Sequence, residues 1–269
     1  MGPLVAIGDP ADPRVDDYRN LTDAELRQRI EPAASLFMVE GPATIRQLLV
    51  SSYPVRSLLL TEHRLAELRP ELVAADGDWP VYVAATEVLR AITGFRFHRG
   101  ALAAARRPPA AAWREVATGP LLVVAEGIGD HENMGALFRN AAAFGVDAIL
   151  LSPSAVDPLY RRAVRVSMGH VLRVPWARLD PWPAALDDLR AGGHRLLALT
   201  PAPEGRFLHD VRRPTEPIAL LVGAEGPGLS SDALARADER VRIPMASGVD
   251  SLNVATAAAV ALHALTRLQ

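Results

Sequence analysis

The sequence predicts an α/β protein, with a mostly parallel sheet and intervening helices preceded by a smaller α/β unit. Three observations carry this. From Pro120 onward, short runs of Val, Ile, Leu and Ala alternate with helix-compatible segments. Those runs are apolar throughout rather than at every second position, as strands buried on both faces must be. Just before the alternation begins, Arg106-Arg107-Pro108-Pro109 interrupts the chain, and consecutive prolines stop regular structure.

The elements follow in order. In the N-terminal unit, residues 1–105, Thr22-Asp23-Ala24-Glu25 has the capping-box pattern that opens a helix. Residues 36–39 read as a strand, and Gly41-Pro42 starts a helix to about Ser51. Strands at 55–60 and 81–83 and a helix at 87–92, closed near Gly94, complete the unit. Residues 106–118 read as a linker. In 119–269, strands are expected at 121–125, 148–151, 171–174, 196–199, 218–222 and 241–243. Helices fit at 133–144, 158–168, 182–191 and 231–237, with a last one over 254–268. That last helix is almost without charge and is expected to be buried nearly all round.

With 49% hydrophobic and 22% charged residues the chain can bury a sizeable core. It has no cysteine, which removes disulfides, thiolate metal sites and a cysteine nucleophile. No apolar run approaches the about 20 residues that span a bilayer. The N-terminus lacks the basic start of a signal peptide. A cytoplasmic location is the expectation. The net charge is −2, so nucleic-acid binding is not advertised globally, although a local basic patch remains compatible with it. All 29 basic residues are Arg, so every fixed positive side chain is a guanidinium suited to bidentate phosphate contacts.

Three segments carry candidate chemistry. The first is Glu126-Gly127-Ile128-Gly129-Asp130-His131-Glu132-Asn133-Met134-Gly135, after the first strand of the alternation. A dinucleotide turn needs Gly-x-Gly-x-x-Gly, but here the third glycine comes six residues after Gly129. No acidic residue ends the next strand to hold a ribose, so a nucleotide-dependent oxidoreductase is disfavoured. Asn133 suits a helix cap or a ligand-facing amide. Arg139, in an otherwise apolar helix, suits either a salt bridge or an anion site. The second segment, Gly223-Ala224-Glu225-Gly226-Pro227-Gly228, ends a buried strand, where open α/β sheets place ligands; its Glu225 suits either a site or a solvated turn. The third, Ile243-Pro244-Met245 through Ser251-Leu252-Asn253, leads into the last helix with two small polar side chains at its start.

Together these segments resemble the SpoU/TrmH branch of the SPOUT methyltransferases. The matching patterns are Asp130-x-x-Asn133-x-Gly135-x-x-x-Arg139-x-Ala141, Leu221-Val-Gly-Ala-Glu-Gly-Pro-Gly-Leu229, and Ile243-Pro-Met through Ser251-Leu-Asn-Val254. A lesser match is Arg165-Val-Ser-Met-Gly169. The N-terminal unit, through 36–41 and Phe97-His-Arg-Gly100, resembles a ribosomal-protein-like RNA-binding domain. The chain departs from the pattern at His131, where Pro is common, at Asn140, where Thr or Ser is usual, and at Ala255-Thr256.

The resemblance implies a SPOUT-type sheet with a C-terminal trefoil knot, and methylation of ribose 2′-hydroxyls of RNA with S-adenosylmethionine and no metal. It implies catalytic roles for Arg139, Asn133, Glu225, Ser251 and Asn253. It implies cofactor contacts from Thr200, Gly223, Glu225, Ile243, Met245 and Leu252, and a homodimer whose site is completed across the interface. RNA contacts are expected from Arg96, Arg99, Arg106 and Arg107, and from Arg161, Arg162 and Arg165. Ribosomal RNA is the preferred substrate, with transfer RNA or a catalytically silent RNA-binding protein as alternatives.

Overall fold

The computed structural model describes residues 1–21, 31, 33–94, 100–211 and 216–266. The chain divides into two compact units, Met1–Pro109 with Leu159–Arg173, and Ala110–Pro158 with Val174–Gln269. Leu159–Arg173, expected within the second unit, therefore belongs to the first. The expected capping box at 22–25 and the candidate RNA contacts Arg96 and Arg99 lie outside the described residues.

The first unit holds β1 (Leu4–Ile7), β2 (Leu36–Glu40), α1 (Pro42–Leu49), β3 (Val55–Leu60), α2 (Glu62–Ala75), β4 (Val81–Ala84), α3 (Thr86–Thr93) and β5 (Ala101–Arg106). Its sheet order is β1-β4-β3-β5-β2, parallel over β1, β4 and β3 and antiparallel where β5 meets β3 and β2. The core between sheet and helices includes Tyr18, Met38, Leu59, Leu89 and Ile92. β1, α2 and β5 escape the sequence, the last two against local preference. α2 carries Pro70 in its interior, a residue that normally ends a helix. β5 is Ala-Leu-Ala-Ala-Ala-Arg, whose alanines favour a helix in isolation. Pairing on both sides, with Ala101 to Ala105 fully buried, overrides that preference.

The segment from Leu159 contributes α6 (Arg161–Val166) and a 3-10 turn, His170–Leu172, to this unit. The helix is shorter than the expected 158–168, and the strand expected at 171–174 is that 3-10 turn instead. The apolar Val171 and Leu172 are buried without pairing in a sheet. Gly169 has φ of +82°, and a Cβ there would lie 2.8 Å from Gln47 Cβ, so the turn can sit against α1 only with glycine.

The second unit holds α4 (Trp113–Val116), β6 (Leu121–Ala125), α5 (His131–Ala143), β7 (Ala148–Leu151), β8 (Trp176–Arg178), α7 (Ala185–Ala191), β9 (Arg195–Leu199), β10 (Arg206–Phe207), β11 (Ile218–Val222), α8 (Ser231–Arg236), β12 (Glu239–Arg242) and α9 (Val254–Thr266). The expected linker thus contains a helical turn, α4, whose Trp113 is buried in the core. The sheet order is β10-β12-β9-β11-β6-β7-β8 and every neighbouring pair is parallel. Every residue of β7 and β11 is buried, as their unbroken apolar sequences require.

α5 buries Met134, Leu137, Phe138 and Ala141, one helical stripe, and packs against α9. Asn140 Nδ2 donates to the Ala255 carbonyl at 2.8 Å, so the unusual Asn140 ties the two helices. α9 is not buried all round: Thr256, Val260 and His263 form an exposed stripe.

Candidate functional site

β6 and β11 are adjacent, with Ala125 opposite Val222. From β6 the chain runs outward to β7 and β8, whereas β9 and β12 lie on the far side of β11. The connections therefore change direction at this pair. Open parallel sheets hold ligands beyond the carboxyl ends of such strands. The loops carrying Asn133 and Glu225 leave from this point side by side.

Glu126 follows directly after the four buried residues 122–125 of β6. Its backbone N–H donates to the Val222 carbonyl at 2.9 Å, extending the pairing by one step. Gly127 N–H donates to Ser152 Oγ at 2.9 Å, and Val156 N–H to the Ile128 carbonyl at 2.9 Å, so the neighbouring loop braces this one. Arg178 holds that neighbouring loop in turn. Its guanidinium donates to the carbonyls of Ser152 at 2.9 Å, Ala155 at 2.6 Å and Val156 at 3.4 Å. Burial pushes the Arg178 pKa down.

Asp130 caps α5, accepting from Glu132 N–H at 2.7 Å and Asn133 N–H at 2.9 Å. The capping role open to Asn133 is therefore filled by Asp130, and the Asn133 side chain is available for other contacts.

Between Val222 and Ser230 the chain makes a tight loop. Gly228 N–H donates to the Ala224 carbonyl at 3.0 Å. A Cβ on Gly223 would fall 2.2 Å from the Gly228 carbonyl carbon, so the two limbs approach closely only without a side chain there. The loop presents Glu225 at its exposed tip.

Asn253 joins these parts. Its Oδ1 accepts from Ala255 N–H at 3.0 Å and Thr256 N–H at 3.2 Å, at the start of α9. With the oxygen turned toward those donors, Nδ2 faces the other way. It donates to Asn133 Oδ1 at 2.7 Å and to Glu225 Oε1 at 2.9 Å. Both hydrogens of Asn253 are thereby used within the cluster. Asn133 keeps its two N–H donors and Glu225 keeps Oε2, the groups with which the cluster can meet a ligand.

Beside the cluster lies a cavity of about 590 Å³, within the range that small-molecule sites occupy. The six expected cofactor contacts, Thr200, Gly223, Glu225, Ile243, Met245 and Leu252, all line it. Ser251 and Asn253 line it too. Leu252 is 40% exposed, apolar surface that a bound ring would cover.

Other expected site residues are not brought together here. Arg139 does not line the cavity, is exposed, and has no ion pair among the described residues, so it is not a structural salt bridge. Arg161 donates to buried Glu40 at 2.9 Å and to the Leu21 carbonyl at 3.0 Å, and Arg165 lies 3.9 Å from the same carboxylate. Arg107 Nε donates to the Leu36 carbonyl at 2.7 Å. These three arginines do structural work inside the first unit, whereas Arg162 and Arg106 are exposed. The expected free arginine face is thus narrower than its spacing suggests, because a buried carboxylate recruits its neighbours.

The sequence reading missed Glu126. Its only signal is a carboxylate placed directly after a buried strand.

The SpoU rRNA Methylase family model matches residues 120–263. The chain is 47% identical over 262 residues to a Mycobacterium bovis protein described as an uncharacterized tRNA/rRNA methyltransferase, covering 96% of this chain and 90% of that one. It is 33% identical to a 23S rRNA (guanosine-2'-O-)-methyltransferase of Vibrio parahaemolyticus, over 55% of this chain and 59% of that one. The fold is similar to an AdoMet-bound rRNA methyltransferase from Sinorhizobium meliloti, with a TM-score of 0.81, 25% identity and 98% of each chain covered.

Proposed function

The chain belongs to the SpoU rRNA methylase family, and on that premise we propose that it methylates a ribose 2′-hydroxyl of RNA with S-adenosylmethionine. The observation that carries the reading is the Asn133–Asn253–Glu225 cluster standing at the wall of the cavity. The cavity fits the cofactor: its volume suits a nucleoside-sized ligand, Leu252 offers apolar surface, and Thr200 and Glu225 offer polar atoms. The AdoMet-bound relative supports the same identity. Bound there, S-adenosylmethionine supplies an electrophilic methyl group on a cationic sulfur.

The residues align the attacking hydroxyl and stabilise the charge it develops. Asn133, fixed by Asn253, directs its N–H groups toward the ribose. Ser251 adds a hydroxyl at the same wall. Glu225 places negative charge at the cavity. Arg139 offers a guanidinium that binds the RNA phosphate and the developing alkoxide. Arg139 is not among the residues that line the cavity of its own chain, and in this reading a second copy supplies it. The exposed Val260 on α9 supports a homodimer through this face.

The same reading carries a knotted path, in which the chain after Ile243 passes through the loop following Leu199. The shared cavity of the loops after β9, β11 and β12 supports it. Ribosomal RNA is the preferred substrate and the cytoplasm the place of work. The 23S rRNA relative supports this substrate, as does the separate N-terminal unit.

The test is transfer of radiolabelled methyl from S-adenosylmethionine to ribosomal and transfer RNA, followed by nuclease digestion. The expected product is a 2′-O-methylated nucleoside from ribosomal RNA. Label on a base, or none, overturns the reading; label in transfer RNA alone overturns the substrate preference.

A further inference from the structure

Both carboxylate oxygens of Glu126 are engaged. The side chain is buried, with the residue 8% exposed. Oε1 accepts from the Trp182 indole N–H at 3.1 Å. Oε2 accepts from the Ser230 backbone N–H at 2.8 Å. Among the described residues no cation pairs with it. A buried carboxylate is costly to keep, and hydrogen bonds alone compensate for it here.

What it joins is specific. The Gly223–Leu229 loop begins after Val222 and ends before Ser230. Glu126 bonds to both flanking residues, through its backbone N–H to the Val222 carbonyl at 2.9 Å and through its carboxylate to Ser230 N–H. It is also the first residue of the loop leading to Asp130, the cap of α5. One residue thus closes the base of the loop that carries Glu225 and opens the loop that leads to Asn133.

We infer that Glu126 is a positioning residue: its buried carboxylate clamps the base of the 223–229 loop and so holds Glu225 and the cofactor-facing wall in register with Asn133. The inference rests on the methyltransferase reading for what the register serves, and on geometry alone for the clamp. At the loop's exit the buried Leu229 packs into the core, and the Glu126 carboxylate adds the polar tie to the next residue. The Ser230 side chain turns away to cap α8 by accepting from Ala233 N–H at 3.2 Å, and the loop's own Gly228–Ala224 bond lies inside the turn.

Two substitutions break the clamp from opposite sides. Glu126→Gln keeps the shape, but its amide has one acceptor oxygen for two donors, and its NH2 group meets an N–H. Ser230→Pro keeps Glu126 in the sequence but removes the partner N–H, and its ring Cδ, standing where that hydrogen pointed, displaces the carboxylate. The φ of Ser230 is −63°, which proline adopts without strain. Ser230→Ala is the control, because it loses the hydroxyl cap and keeps the N–H.

Two readouts are taken on the full chain. Amide hydrogen exchange across 223–230, without ligand, is expected to speed up about tenfold or more in Glu126→Gln and across 223–229 in Ser230→Pro, and to stay at the wild-type rate across 223–229 in Ser230→Ala. The dissociation constant for S-adenosylmethionine, by calorimetry, is expected to rise about tenfold in the first two and less than twofold in the control. Wild-type exchange in Glu126→Gln and Ser230→Pro overturns the clamp. So does a Ser230→Ala variant that matches Ser230→Pro, since the cap would then be the cause. A wild-type protein that binds no S-adenosylmethionine overturns the methyltransferase reading, and the exchange contrast decides the clamp independently.

Discussion

Asn253 donates a hydrogen bond to Asn133 across 2.7 Å although 120 positions separate them in the chain. The same amide nitrogen bonds Glu225, and the same amide oxygen caps α9. A helix cap and a site are thus one side chain. The arrangement lets substitution separate the two roles.

Asn253→Asp keeps a good cap and loses both donors, while setting a second negative charge beside Glu225. Methyl transfer is expected to fall at least a hundredfold, with the melting temperature within a few degrees of wild type. Asn253→Ala is expected to lose transfer and also about 1 kcal/mol of stability. Steady-state rates and thermal unfolding check both. Full activity in Asn253→Asp removes Asn253 from the site.

Arg139→Ala is expected to abolish transfer while leaving the dissociation constant for S-adenosylmethionine within about twofold. Stability should move by no more than about 0.5 kcal/mol, because the exposed side chain has no ion pair to lose among the described residues. In the shared-site homodimer proposed above, a mixed dimer would hold one intact site, so mixing Arg139→Ala with Glu225→Ala subunits is expected to restore part of the activity. No recovery after verified subunit exchange counts against a shared site.

Arg161 and Arg162 are sequence neighbours with opposite expected phenotypes. Arg161→Ala strands the buried Glu40 carboxylate and should cost about 3 kcal/mol, reduced by the nearby Arg165. Arg162→Ala, at an exposed position, should cost less stability than Arg161→Ala and lower the salt dependence of RNA binding by about one unit of slope. Denaturant melts and RNA binding at several salt concentrations separate them. Equal phenotypes would refute the division of labour.

Tyr18 is expected to contribute to the loss of stability at alkaline pH. It is fully buried with its hydroxyl 2.7 Å from Ser57 Oγ, and burial pushes its pKa upward. Its contribution is fully present below the unfolded value near ~10. As the pH rises past that value, the unfolded chain loses a proton that the folded chain retains. Stability then falls by about 1.4 kcal/mol per pH unit until the folded pKa is reached. Tyr18→Phe should flatten this decline between pH 9 and 11 (values near the ~10 reference). Parallel urea midpoints for the two proteins across that range would exclude Tyr18 as the cause.

The sequence by itself determined the parallel sheet of the second unit, because unbroken apolar runs such as those of β7 and β11 have no stable place except between two covered faces. The three motif loops were also legible in it, since glycine spacing and strand ends are local signals, and the resemblance those motifs carry supplied six of the residues that line the cavity. Tertiary structure alone decided the rest. β5 is a strand because its alanines are enclosed by β2 and β3, against their own preference. Val171 and Leu172 form a 3-10 turn because burial needs apolar side chains but does not require them to pair in a sheet. Asn133 is released from capping by Asp130, Arg161 is taken up by Glu40, and Glu126 is fixed by Ser230. In each case the deciding partner is a hydrogen-bonding group that a buried or newly placed polar atom must find. Local pattern names the residues able to make such bonds, and only the folded chain sets which of them meet.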